Sequence, residues 1–165
     1  MIRFADLATP LGPLRIAIDE GGLRYVDFVA GQRPPPTTED WEPDPRALAP
    51  YLEEFAAYFA GRLQVFSVPC AAAGTPFQQR VWQRLMAIGY GATLSYGELA
   101  AELGNPNASR AVGAAVGRNP LSIIIPCHRV VGRDGRLTGY AGGLPIKAAL
   151  LQLEGVPAQS LRTRR

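Results

Sequence analysis

A boundary falls between Ala71 and Pro76, where strand and helix patterns give way to short helices and turns, and that break limits the folds open to the chain. Ahead of the break, Leu14-Arg15-Ile16-Ala17-Ile18 and Leu23-Arg24-Tyr25-Val26-Asp27-Phe28-Val29 flank the turn signal Asp19-Glu20-Gly21-Gly22, as a strand pair would. Residues Gln32 to Pro45 are rich in proline and acid and read as a loop. Asp44 or Pro45 then opens a helix with apolar positions at Leu48, Tyr51, Leu52, Phe55, Tyr58 and Phe59, stopped by Gly61. A short strand is predicted around Val65 to Val68. The first part is therefore a small sheet with one helix.

Beyond the break the chain reads as short helices and turns. Thr75-Pro76 supplies a cap followed by proline at the first helical position, with Val81, Trp82, Leu85 and Met86 as the apolar face. Ser95 and Glu98 form a capping-box pattern over a second helix. Gly104 breaks that helix, Asn105-Pro106-Asn107 turns, and Ala108 to Gly117 follows as a helix of small residues. The pair matches a helix-turn-helix, and on pattern alone it matches a plain helical hairpin equally well. Pro145-Ile146-Lys147 begins a last helix that Glu154 closes. A glutamate there opposes the helix dipole, which points to a specific partner or to harmless exposure.

Charge is divided at the same break. Residues 1–75 carry 6 arginines against 10 acids, and residues 76–165 carry 11 basic residues against 4 acids. A basic second half suits a polyanionic partner, although a solvated imbalance has the same signature. No apolar run approaches the ~20 residues that span a bilayer. The opening Met1-Ile2-Arg3-Phe4-Ala5-Asp6 is charged where a signal peptide is apolar, so a cytoplasmic protein is expected. The thiols and imidazole number three: Cys70, Cys127 and His128. They fall short of a four-ligand zinc set, and neither a metal nor a cofactor is expected.

The chemistry concentrates in Leu121 to Val131. Leu121-Ser122-Ile123-Ile124-Ile125 carries a buried-strand signal, and Pro126 ends ladder pairing there. Cys127 then sits at a chain reversal, beside His128 and Arg129. A thiolate is the soft nucleophile suited to a saturated alkyl carbon, and basic neighbours raise its fraction. Adjacency strains a direct contact between His128 and the sulfur, so a bridging water is the better route. A buried, inert cysteine and a satisfied histidine are the alternatives.

Several segments, in this order, resemble the O6-alkylguanine-DNA alkyltransferase family between Thr75 and Gly155. They are Phe77-Gln78-Gln79-Arg80-Val81-Trp82, Ser95-Tyr96-Gly97-Glu98, Ser109-Arg110-Ala111-Val112-Gly113, Asn119-Pro120, Ile125-Pro126-Cys127-His128-Arg129-Val130, Gly139-Tyr140-Ala141-Gly142-Gly143 and Leu150-Leu151-Gln152-Leu153-Glu154-Gly155. The resemblance implies an α+β fold in two domains. A ribonuclease H-like antiparallel sheet with its helix spans 1–72. A mostly helical, winged-helix-like DNA-binding and alkyl-acceptor domain spans 73–157, and a basic tail 158–165 follows.

The implied activity is repair of O6-alkylguanine, and of O4-alkylthymine, by irreversible single-turnover transfer to Cys127. Glu154, His128 and a water would draw off the thiol proton, Tyr96 would donate toward the leaving guanine, and Asn119 would brace the turn. Arg110 would enter the base stack, with Ala108, Ser109 and Ala111 against DNA. The carbonyls of Cys127 and Val130 would read the guanine amino group, and Tyr140 with the Ala141 N–H would close the pocket. Some members carry proline where this chain has Ser122 and serine where it has Ala141. The implied partner is double-stranded DNA containing alkylated guanine, bound by a monomer with cooperativity left open. Two other classes compete: a recognition protein that flips alkylated bases without chemistry, and a thiol hydrolase using Cys127 and His128.

Overall fold

The computed structural model describes residues 1–31, 38–104, 107–137, 140 and 143–157, with 162–163 for their backbone alone. Ala141, residues 105–106 and nearly all of the basic tail lie outside the described residues.

The first half is an α+β layer pair. Strands β1 (Arg3–Leu7), β2 (Leu14–Asp19) and β3 (Gly22–Phe28) run antiparallel to their neighbours, and β4 (Glu42–Pro43) adds a parallel edge, giving the order β3-β2-β1-β4. The Asp19–Gly22 turn works because Gly22 has φ +121, and a Cβ there would lie 2.4 Å from the Pro69 carbonyl oxygen. Helix α1 (Pro45–Phe59) is capped by Asp44 and lays Leu48, Phe55 and Tyr58 on the sheet.

The second half holds α2 (Pro76–Met86), β5 (Leu94–Ser95), α3 (Tyr96–Glu102), α4 (Ser109–Gly117), β6 (Val130–Val131), β7 (Arg136–Leu137), α5 (Leu144–Leu153) and β8 (Arg162–Thr163). Thr75 and Ser95 each form the full reciprocal capping box. Trp82 Nε1 donates to the Ala115 carbonyl at 2.9 Å and ties α2 to α4, against which α3 also packs. The two halves share one continuous apolar core that runs from Ala5 and Leu14 in the sheet to Leu121 and Leu150. Among the described residues no helix is long and apolar enough to cross a membrane.

Two predicted strands are corrected. Leu121–Ile125 is buried but is not a strand. Only Leu121 bridges Val26, and Ile123 then adopts φ +77 as the chain coils back, with the Ile125 N–H on the Leu121 carbonyl at 3.0 Å. A short apolar run has the same pattern in a buried turn as in a buried strand. Residues Val65 to Val68 form no ladder either. The N–H groups of Ser67 and Val68 donate to the Glu54 carboxylate, and Val65 is 79% exposed, so its apolar character serves no packing. The pairing occurs later, where Cys70 bridges Leu23. Both cysteines are free thiols.

Candidate active site

The cysteine turn is assembled from backbone upward. Pro126 (φ −80, ψ 66) is the centre of an inverse γ-turn closed by the Cys127 N–H on the Ile125 carbonyl at 2.7 Å. A single 3₁₀ turn, Cys127–Arg129, follows and ends with the Val130 N–H on the Cys127 carbonyl. Asn119 is fully buried and braces this turn from behind. Its Nδ2 donates to the Ile125 carbonyl at 2.7 Å, and its Oδ1 accepts the Leu121 N–H at 2.9 Å. On the other side β3 holds the same segment, with the Val26 N–H on the Pro120 carbonyl and the Ser122 N–H on the Val26 carbonyl. The thiol is therefore on a rigid support. Cys127 as a residue keeps 8% of its accessible surface and is recessed in the turn.

Behind it lies a buried polar cluster. His128 Nε2 is 2.7 Å from Glu154 Oε2. An ionised carboxylate only accepts, so Nε2 carries the hydrogen and Nδ1 presents a lone pair. That Nδ1 is buried without a hydrogen-bond partner among the described residues. Arg129 forks onto the same carboxylate, Nε to Oε1 at 2.7 Å and Nη2 to Oε2 at 3.0 Å, while its Nη1 donates to the Ile88 carbonyl at 2.6 Å. The Tyr58 hydroxyl donates to Oε2 at 2.5 Å.

These contacts set the charge states. Burial alone would raise the Glu154 carboxyl, but hydrogen bonds from His128, Arg129 and Tyr58 overcome it and hold it at about 2. Burial pushes His128 down, Glu154 pulls it up, and the Arg129 and Lys147 cations push it down again, leaving it below its ordinary value. The imidazole is thus kept neutral beside a carboxylate kept charged.

Tyr96 stands at the start of α3. The two-residue parallel pairing of β5 with β6, Leu94 opposite Val130 and Ser95 opposite Val131, fixes that helix start to the cysteine turn. Burial, and then the charge of a Cys127 thiolate, raise the Tyr96 hydroxyl to about 12, so it remains a donor throughout the neutral range. Lys147 is fully buried and donates from Nζ to the Val130 carbonyl at 2.6 Å. Burial lowers it to about 8, with Cys127 pulling the other way. The Cys127 carbonyl accepts the Val130 N–H, and the Val130 carbonyl accepts the Lys147 ammonium.

The structure thus brings Cys127, His128, Glu154, Asn119 and Val130 into one buried assembly, with Tyr96 and Tyr140 half-buried against the same core. Ser109, Arg110 and Ala111 form the exposed first turn of α4 with Ala108 at its cap, opposite the buried Val112, Ala115 and Val116. Sequence reasoning missed Tyr58, Lys147 and the carboxylate-binding role of Arg129. The sole lysine, on an apolar helix face, was a visible signal for the second. Nothing marked Tyr58 apart from the aromatic core around it.

Residues 2–72 match the ribonuclease-like domain of 6-O-methylguanine DNA methyltransferase, and residues 76–156 match its DNA binding domain. A methylated-DNA–protein-cysteine methyltransferase of Methanosarcina acetivorans is 49% identical over 92% of this chain and 97% of that protein. The crystal structure of Mycobacterium tuberculosis O6-methylguanine methyltransferase superimposes with a TM-score of 0.87 at 46% identity over 96% of both chains. The crystal structure of Mycobacterium tuberculosis OGT in complex with DNA gives the same score and identity over 92% of both. The chain belongs to the 6-O-methylguanine DNA methyltransferase family.

Proposed function

We propose that this protein repairs DNA by moving the alkyl group of O6-alkylguanine onto its own Cys127. The observation that carries the reading is the His128 imidazole, with Nε2 locked on Glu154 and a bare, buried Nδ1 one residue from the thiol. A histidine kept for packing would satisfy both nitrogens. Here one is left as a base.

In this reading a water carries the thiol proton to Nδ1. The sulfur then forms a bond to the alkyl carbon as the carbon–O6 bond breaks, and the electron pair leaves with guanine. Tyr96, still protonated, hydrogen-bonds the base as negative charge develops on it. The thioether that results has no leaving group to return, so one molecule repairs one lesion. In this reading the Val130 and Cys127 carbonyls, with Tyr140, form the pocket for the base. Thymine alkylated at O4 presents the same carbon–oxygen bond and is a second substrate. The reading places the protein with DNA in the cytoplasm. The limits of the two family matches support a division into domains 1–72 and 73–157, with 158–165 as a basic tail.

Intact mass is the direct test. After incubation with a duplex containing O6-methylguanine, one methyl group is expected per chain, on the peptide that holds Cys127. Tight binding with unchanged mass would instead identify a lesion-recognition protein, and repeated turnover on an ester would identify a hydrolase.

The lesion lies inside the duplex, so the base must leave the stack at a cost of a few kcal/mol. Arg110 is exposed on the first turn of α4, and in this reading its side chain fills the gap. Arg110→Ala is expected to slow duplex repair about 10-fold, the equivalent of ~1.4 kcal/mol, while reaction with free O6-benzylguanine changes little. Timing both reactions in parallel checks this. Equal slowing of both would remove Arg110 from the stack.

A further inference from the structure

Four donor contacts converge on Glu154, and three of them come from His128 and Arg129 in the cysteine turn. The fourth comes from Tyr58 in α1, 96 residues away in sequence. Its ring is fully buried and wedged edge-on against Phe59 at 5.3 Å and Tyr90 at 6.4 Å, and tilted against Phe66 at 5.6 Å. Packing of that kind asks only for a phenyl ring. The hydroxyl adds one thing, a hydrogen bond to the same oxygen that holds His128.

A carboxylate oxygen that accepts several donors spreads its charge among them and holds each one less strongly. The thiol of Cys127 and the guanidinium of Arg129 share the turn with His128, and Lys147 and Glu154 approach from α5. Tyr90 and Tyr140 complete the ring of titratable groups around the carboxylate. Both cations disfavour a charged imidazole, and so does burial. Glu154 is the group that favours it, and Tyr58 acts on that group.

We propose that Tyr58 is a positioning residue of the proton relay: its hydroxyl fixes the Glu154 carboxylate and limits its pull on the imidazole, so that Nδ1 of His128 stays an acceptor when the thiol must lose its proton. The proposal rests on the relay reading given above. It makes the first half of the chain a direct contributor to chemistry performed in the second.

Tyr58→Phe keeps the ring and removes the donor. The pH at which transfer reaches half its maximal rate is expected to rise by about half a unit, with a roughly threefold deficit below that point that closes as pH increases. His128 is the sole histidine, so ¹⁵N-histidine labelling isolates one imidazole, whose titration should move upward with the rate profile. That reading is available even where transfer is too slow to time. A deficit of equal size at every pH, or an imidazole titration that does not move, overturns the proposal. His128→Gln separates the two ideas. A wild-type rate profile in that variant removes the relay itself, whereas loss of the profile there with none in Tyr58→Phe removes only Tyr58.

Discussion

Cys127→Ala is expected to give a protein that folds, binds an O6-methylguanine duplex and never gains mass. The substitution deletes one sulfur from a residue that is 8% exposed and whose backbone N–H is already committed to Ile125. The γ-turn, the Asn119 brace and the β3 pairing hold the turn without the sulfur, so the cost to stability is about 1 kcal/mol. The exposed first turn of α4 does not involve residue 127, and binding should survive. Transfer should be lost outright, because oxygen and nitrogen nucleophiles in the vicinity are engaged otherwise: Tyr96 stays protonated to about 12, and Lys147 Nζ donates to the Val130 carbonyl. A methyl adduct anywhere on the variant chain would mean that a different group is the acceptor. Titration of binding in the same sample distinguishes a dead acceptor from a misfolded chain.

The parts of this architecture that local chemistry dictates were legible in the sequence. Thr75-Pro76, Ser95 with Glu98, and Asp44 before Pro45 each announce a helix start through a side chain that satisfies an orphan backbone donor, and α2, α3 and α1 begin there. The β2–β3 hairpin followed from its turn. What failed were elements whose identity depends on remote partners. Strand β1 reads Arg-Phe-Ala-Asp-Leu, which has no clean alternation, and its place in the sheet rests on its pairing with β2, where Arg15 holds Asp6. The isoleucine run looked like a strand because burial on all sides erases periodicity.

The site divides in the same way. Cys127 and His128 stand out because proline, cysteine and histidine in succession restrict both backbone and chemistry. Glu154 drew notice as a charge at the wrong end of a helix, and the structure places it against the Arg129 guanidinium, a neutral imidazole and a tyrosine hydroxyl. Tyr58 could not be singled out. In the sequence it is one aromatic among Tyr51, Phe55 and Phe59 on the apolar face of α1, and only the fold shows that its oxygen reaches a carboxylate contributed by the far end of the chain.

Glu154→Gln should show how much of the fold leans on the same group as the chemistry. In the native protein the carboxyl sits at about 2, against an ordinary value of 4.5. Because its folded value is depressed, the stabilisation is complete above the unfolded value and disappears as pH falls from about 4.5 toward 2. The shift corresponds to about 3 kcal/mol at neutral pH. Gln also leaves the Arg129 guanidinium buried with the Ile88 carbonyl as its remaining strong acceptor. Breaking a buried pair from one side costs about 3–5 kcal/mol, a large share of the 5–15 kcal/mol that holds a domain together. The melting temperature at pH 7 should drop on the order of 10 °C. Between pH 4.5 and 2 the wild type should lose stability more steeply than the variant, so the two curves converge. Transfer should fall about 100-fold or more, since His128 loses both its orientation and its counter-charge. Combining Glu154→Gln with Arg129→Met separates the two effects. The double variant removes the stranded cation and should regain much of the melting temperature while transfer stays low. Recovery of transfer along with stability would mean that Glu154 serves the fold alone, and an unchanged melting temperature in the single variant would mean that the buried cluster is not the keystone its geometry indicates.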